Sequence, residues 1–321
     1  GVCSVFISAA FSFGGCELVA LAASETENPR KSLPKATKQV FWRITIFYIL
    51  TAIVIGCLVP YNDERLLNGS SSEDITSSPF VIAINNGGIK VLPHIMNAVI
   101  LVAVVSVGNS SVYGCSRTLA SLAVQGLIPS YFAYVDRAGR PMAAIIFTDI
   151  IGLLGFLVVS EKEATVFTWF FSICSLASFF VWIGICLTHL RFRMALNAQG
   201  RSLDEVIFVS PMGIYGSIAG IVILILIVIG EIWVSIFPIG SSANVVTFWQ
   251  NCLSLPLTVT LWLGYKTVTW SWHSLYIKLE DIDLDTGRRE MNLEVLKQEI
   301  ADEKRDLKAG PYWYRVYRFW C

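Results

Sequence analysis

The first twenty-three residues read GVCSVFISAAFSFGGCELVALAA (Gly1–Ala23), an apolar run interrupted by Gly14-Gly15 and, two residues later, by Glu17. A helix needs about 20 mostly apolar residues to cross the roughly 30 Å of bilayer hydrocarbon, and this run has that length. Six further runs follow: Ile44–Val59, Val91–Tyr113, Met142–Val159, Thr165–Leu187, Ile214–Phe237 and Val245–Leu263. The runs are continuous rather than alternating, which selects membrane helices over barrel strands. The chain therefore reads as an all-α polytopic membrane protein with seven spans.

Composition agrees. Of 321 residues, 55% are hydrophobic and 15% charged, against roughly 25% charged in a soluble domain. The formal net charge is +0, so no global basic field exists to attract nucleic acid. The eight cysteines fall mostly in apolar runs and form no CxxC pair, and His94, His189 and His273 are scattered. That pattern supports buried thiols, with no metal, no other cofactor and no disulfide framework. The sequence opens inside an apolar run without Met, which is the expectation for a fragment lacking its N-terminal part.

Basic residues alternate along the chain. Arg30, Lys31, Lys35, Lys38 and Arg43 follow the first span, while the connection from Pro60 to Lys90 carries only Arg65 and Lys90 against four acids. Arg117, Arg137 and Arg140 follow the third span, Lys162 stands alone after the fourth, and Arg191, Arg193 and Arg201 follow the fifth. The tail from Lys266 holds ten of the 24 basic residues. Cytoplasmic loops carry the excess of Lys and Arg, so the tail is expected in the cytoplasm and residue 1 near the outer face. Asn68-Gly69-Ser70 then lies outside, which makes Asn68 a glycosylation candidate.

Two adjacent glycines weaken a helix in mid-membrane. A carboxylate there is costly and faces a cavity or a partner. One reading is a glycine pair for close helix packing, with Glu17 snorkelling. The other is a discontinuous helix whose freed carbonyls and amides bind substrate near the midplane, as in secondary transporters. The carbonyl end suits a cation such as an α-ammonium, and Glu17 could carry a coupling proton.

Phe11-Ser12-Phe13-Gly14-Gly15-Cys16-Glu17-Leu18 and Leu21-Ala22-Ala23-Ser24-Glu25-Thr26-Glu27-Asn28-Pro29-Arg30 resemble the sixth helix and following loop of fungal amino-acid permeases, within the amino acid–polyamine–organocation superfamily. Lys38-Gln39-Val40-Phe41-Trp42-Arg43, Ser106-Val107-Gly108-Asn109-Ser110, Ser116-Arg117-Thr118, Tyr134-Val135-Asp136-Arg137, His189-Leu190-Arg191-Phe192-Arg193, Gln199-Gly200-Arg201-Ser202-Leu203-Asp204-Glu205, Asp285-Thr286-Gly287-Arg288-Arg289-Glu290 and Phe319-Trp320-Cys321 continue the likeness. It runs the whole chain and is strongest to the general, broad-specificity type.

The resemblance implies an inverted-repeat transporter fold of twelve helices. This chain would supply helices six to twelve: the second repeat plus two extra helices, the first repeat missing. The function implied is proton-coupled amino-acid import at the plasma membrane, not enzymatic catalysis, with amino acid, proton and membrane lipids as partners. Phe11 resembles the gate aromatic, and the carbonyls of Phe11 and Gly14 resemble the ammonium acceptors. Ser12, Phe13, Gly15 and Cys16 complete that segment, Glu17 keeps the family's acid, Ser106 and Val107 match path-lining positions, and Cys174 and Ser175 lie where side-chain choice is tuned. Cys16 stands in place of a usual Thr, and the pattern around Cys174 departs from the usual Ser-Gly. The absent half would hold the substrate carboxylate, so the chain alone is expected to be inactive.

The expected organisation is a broken helix over 1–23, a cytoplasmic loop over 24–43, spans at 44–59, 91–113, 142–159, 165–187, 214–237 and 245–263, an external loop over 60–90, cytoplasmic loops over 114–141 and 188–213, and a cytoplasmic tail over 264–321. Asp149 and Glu231 are acids within spans, open to functional or packing roles. Arg117 reads as an interface anchor. In the tail, Leu293, Leu296, Ile300 and Leu307 sit near helical spacing. The aromatic and Arg-rich end suits the membrane interface, where Cys321 becomes a palmitoylation candidate. A tail packed on the loops is the plain alternative. By span count alone, a seven-helix receptor or a nutrient-sensing transporter-receptor is the competing class.

Overall fold

The computed structural model describes residues 9, 12–21, 26, 29–63, 78–89, 91–159, 163–206, 209–210, 212–238, 244–269, 276–286, 295, 298, 301–302, 305 and 309–311. The main helices among them are α1 Leu18–Leu21, α2 Pro29–Leu58, α3 Pro79–Asn86, α4 Leu92–Val124, α5 Met142–Gly152, α6 Glu163–Ala198, α7 Gly213–Ile236, α8 Val245–Cys252 and α9 Ser254–Val268. Short 3-10 turns occupy Ser130–Ala133, Leu153–Val159, Leu203–Glu205 and Leu279–Asp281. Among the described residues, four helical stretches are long and apolar enough to cross a membrane: Ser32–Leu58, Leu92–Val124, Thr165–Ala198 and Gly213–Ile236. The architecture is all-α, and the chain is a multi-pass membrane protein.

Several helices outrun their apolar segments. α2 starts at Pro29 rather than Ile44, α4 continues to Val124 and α6 to Ala198, so parts of the expected loops at 24–43, 114–141 and 188–213 are helical. Arg, Lys, Gln, Ala and Leu are strong helix formers whatever their polarity. The 30 residues of α2 measure about 45 Å, more than the hydrocarbon requires. α3 lies inside the expected loop at 60–90. It is too short to span, yet it buries Val81 and Ile82 at 2% and 0% exposure.

The run expected as one last span divides into α8 and α9. Pro256 cannot donate to the Cys252 carbonyl, and its ring crowds that oxygen. Leu253 stays in the right-handed region, and bonding resumes with Leu257 N–H to Leu253 O at 3.2 Å. The Met142–Val159 run likewise passes from α-helix into a 3-10 turn after Gly152.

The chain divides into two compact units. One comprises Gly1–Gly14, Asn28–Gln39 and Thr168–Cys321; the other comprises Gly15–Glu27 and Val40–Phe167.

In the first unit, α6 and α7 form an antiparallel pair. Gly213 lies near Arg193, and Gly220 lies where an added Cβ would sit 3.2 Å from Cys186 Sγ. Between these levels, His189 Nδ1 meets Ser217 Oγ at 2.7 Å. Farther along, Leu176 and Phe179 of α6 and Leu224 and Ile227 of α7 make the core, flanked by Trp182 and Leu255. The contact positions recur every three or four residues on both helices, as one helical face requires. Ser254 donates to Ile173 O at 2.6 Å, tying α9 to α6.

α6 ends on Gly200, at φ +67°. Gly200 N–H bonds to Asn197 O at 3.1 Å and Arg201 N–H to Leu196 O at 2.9 Å, the two bonds of a Schellman cap. The cap turns Gln199 and Arg201 toward the tail. Gln199 Nε2 lies 3.2, 3.2 and 2.9 Å from the carbonyls of Leu279, Glu280 and Ile282. Arg191 donates to Ile277 O. Arg201 holds Asp285 through two parallel bonds of 2.9 Å and Glu205 through a 2.6 Å ion pair. Residues 277–285 of the tail thus pack on the end of α6. Leu293, Leu296, Ile300, Leu307 and Cys321 lie outside the described residues.

In the second unit, α3 packs on α4, and α4 connects to α5 through a structured turn. Asp136 Oδ1 accepts from Ala138 N–H and Arg140 N–H at 2.9 and 2.8 Å, and its Oδ2 pairs with Arg140. The Arg140 amide and guanidinium bonds hold the Asp136 carboxyl below the usual range. Arg117 donates to Gly139 O at 3.0 Å and lies over the Tyr113 ring. Ala143 and Ala144, 7% and 0% exposed, let α5 approach closely.

A Cβ at Gly200 meets open space, so substitution there tests the backbone alone. Gly200→Ala is expected to cost about 1 kcal/mol and to lower the thermal midpoint of the detergent-solubilised protein by about 2–4 °C. Gly200→Asn should stay nearer wild type, since Asn tolerates this conformation.

Candidate substrate-binding site

The glycine pair lies in a turn, not a helix. Residues Ser12 to Glu17 form consecutive turns, and Gly15 has φ +94°. That conformation suits glycine, which lacks the Cβ that clashes there. Leu18 N–H bonds to Gly15 O and Ala20 N–H to Glu17 O, both at 3.0 Å, which starts α1. Ser12, Phe13 and Gly14 are exposed, and Gly15, Cys16 and Glu17 half-buried. Phe11 lies outside the described residues.

Gly114 of α4 fixes where the turn stands within the second unit. A Cβ on Gly114 would meet Leu18 Cδ2 at 2.6 Å, with Leu21 Cδ1 at 3.9 Å. α1 therefore lies directly on the α4 backbone, and Glu17, one residue before it, sits at the same level. Val107 precedes Gly114 by seven residues, which places it on the same face of α4 about 10 Å along the axis. Ser106 is one position round. Both are exposed. Their carbonyls accept Ser110 Oγ and Ser111 Oγ at 2.9 Å each, so what they offer a ligand is their side chains.

Cys174 and Ser175 belong to the other unit. Cys174 is exposed, and its carbonyl accepts Ser178 Oγ at 2.9 Å. Ser175 is 4% exposed, and its Oγ has no hydrogen-bond partner among the described residues. A buried hydroxyl left unsatisfied costs about 1–3 kcal/mol. The turn residues Gly15 to Glu17 and the α4 positions thus share one unit, and the α6 positions stand in the other.

Of the acids within spans, Asp149 is exposed on α5 and Glu231 half-buried on α7. Near Glu231, Asn251 donates to Ser235 at 3.2 Å. Asn68 and Cys321 lie outside the described residues. Sequence reasoning missed Gly114 as the seat of α1; its signal was a lone glycine beside Tyr113 in an apolar run.

A family model for amino acid permeases matches residues 1–277. Among curated relatives, the S-adenosylmethionine permease GAP4 of Candida albicans is 68% identical over 319 residues, covering 99% of this chain and 52% of that protein. The general amino-acid permease GAP1 of Saccharomyces cerevisiae is 53% identical over 321 residues, covering 100% of this chain and 53% of its own length. The S-adenosylmethionine permease SAM3 of Saccharomyces cerevisiae is 49% identical over 322 residues, covering 100% and 55%. The chain spans about half the length of these relatives. No solved structure matches.

The Leu18–Gly114 contact gives a double-mutant test. Gly114→Val should destabilise the wild-type protein by about 1–3 kcal/mol through overpacking. In a Leu18→Ala background the loss should shrink by about 1 kcal/mol. Thermal unfolding of the four proteins in detergent measures the cycle.

Proposed function

Because the chain belongs to the amino acid permease family, we propose that it forms part of a carrier that moves amino acids across a membrane by alternating access. The observation that carries this reading is the turn at Ser12–Glu17, an interruption of an apolar segment with Glu17 at its end and α1 seated on Gly114. Non-helical backbone at membrane depth is tolerated where it lines a cavity or is buried in protein. Carbonyls of a discontinuous helix are acceptors of the kind an α-ammonium requires. In this reading, which follows the family resemblance, Phe11 and Gly14 contribute carbonyls, Phe11 is the gate aromatic, and Ser106, Val107, Cys174 and Ser175 are substrate-binding positions. The unsatisfied hydroxyl of Ser175 supports a polar role for that position.

Glu17 carries the coupling proton. Its place beside the substrate ammonium lets protonation and substrate binding influence one another. Transport is inward and the membrane is the plasma membrane, as the family resemblance implies; the tail faces the cytoplasm, which the distribution of Lys and Arg supports. The whole carrier has the inverted-repeat fold, and residues 1–321 expressed alone transport nothing.

Glu17→Gln in the complete protein tests the coupling. Uptake of labelled amino acids should fall at least about tenfold at mildly acidic pH, with the rise on acidification lost. Uptake and pH profile unchanged from wild type would remove Glu17 from the mechanism.

Specificity has two readings. The likeness to a general amino-acid permease supports a broad range. The 68% identity to an S-adenosylmethionine permease, with a second such relative at 49%, favours inclusion of a sulfonium amino acid in that range. Unlabelled S-adenosylmethionine should then compete with uptake of a neutral amino acid. Failure to compete at a hundredfold excess over the neutral amino acid would exclude it.

A further inference from the structure

The tail contacts at the end of α6 have a consequence beyond transport itself. Residues Ile277 to Asp285 form a strap across the Schellman-capped end of that helix. Its anchors are three side chains of one short segment, Arg191, Gln199 and Arg201, and their targets are four strap carbonyls and one carboxylate. The strap carries its own turn: Asp283 Oδ1 accepts from the N–H groups of Asp285 and Thr286 at 2.9 Å each. That turn presents the Asp285 carboxylate to both arms of the Arg201 fork, a geometry that matches a planar guanidinium.

The attachment is polar and wet. Tyr276 and Ile277 are 71% and 60% exposed, and the Asp285 side chain is 70% exposed. Leu279, Ile282 and Leu284 are half-buried and none of the strap's apolar side chains is fully buried, while exposed ion pairs are weak and screened by salt. A segment held this way is at the low-stability end of a structure and opens locally. It also lies between α9 and the remainder of the tail.

We propose that Ile277–Asp285 is a releasable latch on the end of α6, so that exposure of the tail follows whether the strap is docked. Arg191, Gln199 and Arg201 are the anchors, and Gly200 aims the last two. Displacement of this end of α6 relative to α9 strains the strap, which makes the latch sensitive to the position of a helix that carries Cys174 and Ser175.

Tryptic cleavage after Lys278, in the complete protein in unsealed membranes, reads the latch independently of orientation. The bond is cleaved when the strap opens, and the rate follows the open population. Asp285→Ala and Gln199→Leu should each raise the cleavage rate about fivefold. Asp285→Glu, which keeps the carboxylate, should stay within about twofold of wild type. About 0.5 M NaCl should accelerate the wild type and leave Asp285→Ala nearly unchanged. Cleavage after Arg137, in the turn of the other unit, is the reference. The latch is overturned if all variants are cut like wild type in low and high salt, or if cleavage at Arg137 rises in parallel. Uptake by the intact cells is a separate readout: absent uptake with the expected cleavage pattern would remove the transport reading and leave the latch standing.

Discussion

In hydrocarbon, every backbone N–H and C=O must find its partner inside the protein, because no water is there to replace it. Helices meet that demand along their length, which makes each departure from helix informative. Beside the 3-10 turn that follows Gly152, two departures stand within the apolar segments among the described residues. At Leu253 the break follows from Pro256, and the chain repairs itself within one turn. At Ser12–Glu17 no proline intervenes. Glycines permit the turn, and an acid lies at its end. Hydroxyl side chains within the helices do the opposite: Ser110, Ser111 and Ser178 occupy the carbonyls of Ser106, Val107 and Cys174. At those three positions the backbone is already engaged, whereas the turn departs from the helical pattern altogether.

The same constraint governs how the helices meet. Lipid tails are as apolar as leucine, so burial alone does not draw membrane helices together, and close packing and polar contacts must. Gly114 lets α1 rest on the α4 backbone, and Ala143 and Ala144 let α5 approach. Between α6 and α7, Gly220 admits Cys186 while His189 and Ser217 set the register by a single short contact. Each contact is local, and each is supplied by a small or polar residue among larger apolar ones.

Much of the fold was legible because a span length is written directly in hydropathy. The ends of the helices were not, because the continuation of α2 into Arg43 and Lys38 depends on helix propensity, to which hydropathy is blind. α3 escaped because its apolar patch is too short to resemble a span and too long to be chance. At the candidate site, the Gly14-Gly15 pair and Glu17 were conspicuous, since both are costly in hydrocarbon. The seat of α1 was not, since a glycine that admits a neighbour looks like any other glycine until the neighbour is known. The seven expected spans become four long apolar helices, one short one and a broken pair among the described residues, with the first segment only partly described.

The strap shows why polar recognition concentrates where the apolar runs stop. A guanidinium–carboxylate pair in hydrocarbon would lose more in desolvation than the attraction returns unless its geometry and remaining bonds were nearly ideal. In open water it would be worth little. Arg201, with its side chain 23% exposed, sits between these limits, just beyond the last turn of α6. Asp285 and Glu205 share it from opposite sequence distances, one 84 residues away and the other four. Glu205 occupies the Nε side of the guanidinium while Asp285 takes the Nη1–Nη2 side, so both are held together. When the strap leaves, Glu205 keeps the Arg201 charge compensated. A contact whose loss leaves no uncompensated buried charge can be made and broken repeatedly, which is the property a latch needs and a structural ion pair lacks.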